Sequence, residues 1–240
     1  MPVVLVHGVP DTARVWDGVV SRLDRQDVVK LSLPGFGCPA PSGFTATKEA
    51  YVDWLIGQLV ALTGPIDIVG HDWGALLTVR AVSVRPTLVR SWAAGGAPLD
   101  REYVWHQAAQ AWQTPGMGEK VMAGLTPEGM RAALVAAGVP PADAATTAAG
   151  VDDTMKRCIL ALYRSAIRAG EEWEDDLRRI TAPGLVLWGE EDPFASVRFG
   201  ERLADKTRAR FLMLPGCSHW WQLEQPADVA AELQRHWATA

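Results

Sequence analysis

Four short stretches of the chain place reactive side chains directly after apolar runs. "VGHDWGA" sets Asp72 between Gly70 and Gly74. "LVLWGEEDP" presents Glu190, Glu191 and Asp192, "FLMLPGCSHWW" presents His219, and "LVHGVPD" opens a glycine turn at Gly8. A histidine oriented by an acid and facing a nucleophile is the minimum set for covalent hydrolytic catalysis. Here the chain order is nucleophile, acid, histidine. Glycines two residues either side of Asp72 suit a crowded strand-to-helix turn that pushes Asp72 outward. Taken alone, the pattern fits an ordinary helix-capping aspartate equally well. The amides of Val9 and Trp73 are the candidate donors of an oxyanion site, since Pro10 has no N–H.

These residues need a frame that brings four strand ends together. Six β-branched or apolar runs bounded by Gly or Pro read as buried strands: "PVVLVHG", "DVVKLSLPGFG", "IDIVGHD", "VRSWAAGGAP", "APGLVLWGEEDP" and "ARFLMLPGCSH". Segments 46–62, 74–85, 196–205 and 226–238 show helical spacing between them. Alternating strands and helices predict a mostly parallel, doubly wound α/β sheet, whose ligand sites lie beyond the carboxyl ends of the strands. Residues 99–172 break the alternation, with Ala-rich helical pieces punctuated by "QTPGMGE", "TPEG" and "GVPPAD". The expected organisation is a core of 1–98 and 173–240 with a helical insertion over it. Within the insertion, 131–150 reads as a loose helix pair or as partly disordered.

Bulk properties narrow the function. The chain has 240 residues, 48% hydrophobic and 21% charged, with a formal charge of −5 and no basic run. One substantial core is expected and a nucleic-acid partner is not. Cys38, Cys158 and Cys217 form no paired spacing, which favours a reducing, cytoplasmic setting over a disulfide framework or zinc site. "MPVVLVHGVPDT" reads as neither a signal peptide nor a membrane span. With five histidines and no H-x-H or H-E-x-x-H spacing, no metal or other cofactor is expected. His71 reads as a buried, hydrogen-bonded side chain, His7 as ordering its own loop, and Glu190 and Glu191 as solvated neighbours of Asp192.

Together, "HGVPD", "GHDWG", "WGEEDP" and "GCSHW" resemble the α/β-hydrolase superfamily, in the branch with an aspartate nucleophile that holds epoxide hydrolases and haloalkane dehalogenases. The resemblance spans nearly the whole chain. It implies Asp72 as nucleophile, Asp192 as supporting acid, His219 as base and 99–172 as the family's helical cap. The chain departs from the pattern by beginning at "VVLVHG", without the strands that usually precede it. One sheet edge is then expected to be truncated and covered by a partner, such as a second copy in a homodimer.

The nucleophile type bears on the substrate. Serine attack on an sp³ carbon leaves an ether that histidine and water do not cleave. Carboxylate attack leaves an ester that they do. An epoxide also requires a proton for its departing oxygen, whereas a halide requires only N–H donors. "WQTPG" at 112–116 and "ALYRSA" at 161–166 resemble epoxide-hydrolase cap segments, which makes Tyr163 the implied proton donor. Where the family places its first cap tyrosine this chain has "HQAAQA", so Tyr103 or His106 is the candidate substitute, or one donor suffices. Trp73 matches a halide-binding tryptophan of the dehalogenases, but Val9 stands where they place asparagine. Trp105, Trp112, Trp220 and Trp221, with Trp73, suggest an aromatic pocket for a small apolar or aromatic substrate, with Tyr103 and His106 as further lining candidates. Epoxide hydrolysis is the first expectation and haloalkane dehalogenation with the same triad the second. A non-catalytic ligand-binding member of the fold is the third.

Overall fold

The computed structural model describes residues 1–240. Its sheet has six strands, β1 (Val3–Val6), β2 (Val28–Leu31), β3 (Asp67–His71), β4 (Ser91–Gly95), β5 (Gly184–Gly189) and β6 (Arg210–Leu214). All pair in parallel, in the order β2-β1-β3-β4-β5-β6. The helices are α1 (Asp17–Val20), α2 (Lys48–Val60), α3 (Trp73–Val84), α4 (Gln107–Gln113), α5 (Met117–Gly124) and α6 (Pro127–Ala136). They continue with α7 (Pro141–Gly150), α8 (Asp153–Ser165), α9 (Ala169–Trp173), α10 (Val197–Thr207), α11 (Trp221–Glu224) and α12 (Pro226–Thr239).

The continuous apolar runs follow from burial on both faces of a parallel sheet. Along β1, Val4 and Val6 face one hydrophobic cluster while Val3 and Leu5 face the other. Helices α2, α3 and α10 cover the first face, and α11 and α12 the second. β2 and β6, the two edge strands, are only partly buried, as their mixed sequences require. The four reactive stretches leave the carboxyl ends of β1, β3, β5 and β6, so one rim of the sheet gathers them.

Between β4 and β5 the chain runs through α4 to α9. The Ala-rich stretch is ordered as the helix pair α6–α7, and the alternative of partial disorder falls away. Thr126 accepts the Gly129 N–H to start α6, while Gly138, at φ 101°, makes the turn out of it. The pair packs apart from the other helices between β4 and β5. Met130, Leu134, Val139, Ala144 and Ala148 join the cluster that holds Trp220 and Trp221. Ala109, Met122, Ile159 and Tyr163, from α4, α5 and α8, join the opposite cluster. Both crossings between core and insertion are pinned to α10: Lys206 pairs with Asp100 at 2.8 Å and with Glu174, and Arg202 pairs with Asp100 at 2.9 Å. No helix is long and apolar enough to cross a membrane.

Candidate active site

Asp72 follows β3 at φ 52° and ψ −124°, a backbone conformation that side chains other than glycine seldom adopt. The flanking glycines make the turn possible. A Cβ on Gly70 would stand 2.2 Å from the Gly74 carbonyl oxygen, and one on Gly74 would stand 2.2 Å from the Val6 oxygen. The turn is held by the Asp72 amide donating to Gly95 O at 3.0 Å and by Ala75 N–H donating to Asp72 O at 2.8 Å. The carboxylate therefore projects from the rim. Its Oδ1 accepts the Val9 amide at 2.7 Å, across the β1 turn. The Trp73 amide, the first of α3, has no acceptor within its own helix.

His219 and Asp192 complete the set. The imidazole Nδ1 donates to Asp192 Oδ2 at 2.8 Å, while Nε2 lies 3.6 Å from Asp72 Oδ2, beyond a direct hydrogen bond. Asp192 is fixed through its other oxygen, which accepts the amides of Phe194 and Ala195 at 2.8 and 3.0 Å. Burial alone would favour a neutral His219, but Asp192 and then Asp72 outweigh it and raise its pKa to about 10. Burial likewise opposes ionisation of Asp72, yet His219 and the Val9 N–H hold its pKa below the usual carboxylate value. The resting pair is thus a carboxylate facing an imidazolium.

Neighbouring groups support this geometry. His71 Nε2 donates to the His219 carbonyl at 2.9 Å, and burial lowers its pKa to about 3, so the ring is neutral. His7 accepts the Leu33 amide at Nε2 and donates from Nδ1 to Gly8 O, ordering its own loop. Glu190 turns away to accept the Gly216 amide, and Glu191 is exposed.

Above Asp72 and His219 lies a cavity of about 370 Å³, and 17 of its 24 lining residues are hydrophobic, so apolar contact dominates its walls. Val9, Asp72, Trp73, Tyr103, Trp105, His106, Trp112, Tyr163, His219 and Trp220 all line it, whereas Trp221, expected among them, is buried in the core against Trp16. Tyr163 stands at the centre of an aromatic cage, 4.9 to 5.4 Å from the rings of Trp112, Trp73 and Trp105. Burial, and next the charge of Asp72, push its phenol well above the ordinary range. Tyr103 is engaged elsewhere, donating to Phe194 O at 3.1 Å. His106 caps α4, accepting the Ala109 amide at Nδ1 at 3.3 Å. Burial lowers its pKa, so the neutral ring carries its proton on Nε2.

Several wall residues escaped the sequence reading. Phe194, two positions after Asp192, packs 5.0 Å from the His219 ring, and its place in "EEDPF" was the available signal. Met130, Ala133 and Leu134 come from α6 and Ala137 from its C-cap, and nothing in their local sequence marks them as pocket residues. Asp11, the last residue of "HGVPD", is buried, and burial raises its pKa to about 7.

The sequence pattern described as "Alpha/beta hydrolase family" matches residues 3–232. The chain is 24% identical over 250 residues to the (E)-2-((N-methylformamido)methylene)succinate hydrolase of Acinetobacter baylyi, covering 97% of this chain and 89% of that one. It is 25% identical over 294 residues to Epoxide hydrolase A of Mycobacterium tuberculosis, covering 96% and 88% respectively. The solved haloalkane dehalogenase DbeA from Bradyrhizobium elkani superposes with a TM-score of 0.77 at 19% identity, over 100% of this chain and 91% of that one. At such identities a structural likeness speaks for the fold, and the sequence match over nearly the full length speaks for descent. The chain belongs to the alpha/beta hydrolase family.

Proposed function

We propose that the protein opens an epoxide to a vicinal diol through a covalent ester on Asp72. One observation carries this reading: Oδ1 of Asp72 already occupies the Val9 amide, which leaves Oδ2, on the His219 side, as the attacking atom. Oδ2 forms a bond to an epoxide carbon, and the ring C–O bond breaks. The departing oxygen takes a proton from the Tyr163 hydroxyl, with the His106 Nε2–H as a second donor on the cavity wall. Asp72 is then an uncharged ester. Loss of its negative charge removes one of the two influences that keep His219 protonated, so the ring sheds its proton and becomes a base. That proton balances the one Tyr163 supplied.

In the second half, His219 takes a proton from water as the water oxygen attacks Cγ of Asp72. Negative charge develops on Oδ1, where the Val9 amide is already placed and the Trp73 amide is the second donor. Collapse breaks the ester C–O bond, the leaving alkoxide takes the proton from His219 to give the diol, and the ring takes the new carboxyl proton, restoring the carboxylate and the imidazolium. The apolar walls favour a small, uncharged, apolar or aromatic substrate. Epoxide Hydrolase A being among the relatives agrees with this reading.

Halide displacement is the weaker use of the same triad, because the Val9 side chain offers no donor. A panel of aryl and alkyl epoxides and bromoalkanes, with diol and bromide followed separately, tests the choice. Diol formation without bromide release is expected. Bromide release without diol contradicts the proposal, and inertness towards both classes favours a binding role.

A further inference from the structure

Asp11 has no part in the steps above, yet its carboxylate joins two elements that bound the cavity. Oδ2 accepts the Trp220 indole N–H at 2.8 Å, and Oδ1 accepts the Thr147 hydroxyl at 3.3 Å. Trp220 stands edge-on to His219, with ring centroids 4.8 Å apart at 80°, and lines the cavity. Thr147 lies on α7 of the cap. One buried side chain thus connects the catalytic base's aromatic neighbour to the α6–α7 pair.

That pair needs such a connection. It shares its apolar cluster with the core tryptophans and not with α4, α5 and α8, so its position is set by what it touches beneath it. Gly138 rests against Ser218, where a Cβ would lie 2.1 Å from Oγ, and Thr147 rests on Asp11. α6, which leads into the turn at Gly138, supplies one wall of the cavity.

We infer that Asp11 is a positioning residue for substrate selection: it fixes Trp220 against His219 and α7 against the core, and so fixes the distance between the α6 wall and the triad. A carboxylate suits the place because it accepts hydrogen bonds from opposite sides at once. Asparagine retains both links, accepting from Trp220 through Oδ1 and donating to Thr147 through Nδ2. Leucine retains neither.

The kinetic part of the test rests on the epoxide reading, and the exchange part does not. Asp11→Leu, Asp11→Asn and Thr147→Val are compared by hydrogen–deuterium exchange over 141–150, and by KM and kcat for styrene oxide and a longer alkyl 1,2-epoxide. In Asp11→Leu and Thr147→Val, exchange over 141–150 rises about tenfold and the KM ratio of the two epoxides shifts about fivefold, the scale of one lost hydrogen bond. Their kcat changes much less, and Asp11→Asn stays near the wild type in both readouts. If Asp11→Leu does not fold, Thr147→Val gives the same comparison. Unchanged exchange in the folded variants overturns the inference, as does an Asp11→Asn that behaves like Asp11→Leu. If the wild type turns over neither epoxide, the proposed reaction fails while the exchange result still decides the role of Asp11.

Discussion

The Val9 amide lies 2.7 Å from Oδ1 of Asp72, and the residue before it has to be glycine, because a Cβ on Gly8 would stand 2.2 Å from that oxygen. The two turns, from β1 and from β3, therefore close on each other with no room for a side chain. One carboxylate oxygen is seated in the amide and the other is left to react. Gly8→Ala should displace the carboxylate while leaving the strands in place. We expect kcat to fall by about two orders of magnitude, as for an angstrom-scale misplacement of a reacting group. Steady-state kinetics alongside a thermal melt checks this, with only a small change in melting temperature expected.

Tyr163 combines deep burial with a phenol held protonated, which is what a proton donor to an epoxide oxygen requires. Tyr163→Phe keeps the ring in its aromatic cage and removes only the hydroxyl. Epoxide turnover should fall by about two orders of magnitude, the usual scale for loss of a general acid. A rate within a few-fold of the wild type would remove Tyr163 from the reaction.

The strands, their parallel pairing and the rim that carries Asp72, Asp192 and His219 were legible in the sequence because each rests on local rules. Apolar β-branched runs make buried strands, and Gly70, Gly74 and Gly8 mark turns where backbone or carboxylate comes too close for a Cβ. The cap was less legible. Whether 131–150 folds as a pair depends on apolar contacts with Trp220 and Trp221, far along the chain. Tyr103 reads from the sequence as a candidate second donor, yet its hydroxyl is spent on Phe194 O, a partner 91 positions away. The tautomer of His106 likewise follows from capping α4, which composition does not announce. Local pattern gathered the candidate residues at one rim, and long-range packing decided which side chains of α4 to α8 line the cavity above them.

The electrostatics of His219 give a pH signature. Its pKa of about 10, against an ordinary 6.5, means that folding favours the protonated ring. The resulting stabilisation is complete below pH 6.5 and is lost as pH rises through about 10. Asp72→Asn removes one of the two carboxylates that raise this pKa, so the value should fall in the variant. Imidazole NMR titration of both proteins checks the shift, and denaturation between pH 7 and 10 should show a smaller loss of stability in Asp72→Asn. An unchanged His219 titration would contradict the charge coupling on which the switch from acid to base depends.

The central claim, a covalent ester on Asp72, is tested most directly by intact-mass and peptide mapping of His219→Gln after incubation with an epoxide that the wild type hydrolyses. Without the base, the first half-reaction proceeds and the second stalls. The account predicts a mass gain of one substrate molecule on the peptide containing Asp72, absent from the wild type and from the His219→Gln, Asp72→Asn double variant. No adduct, or an adduct on a different residue, would contradict it.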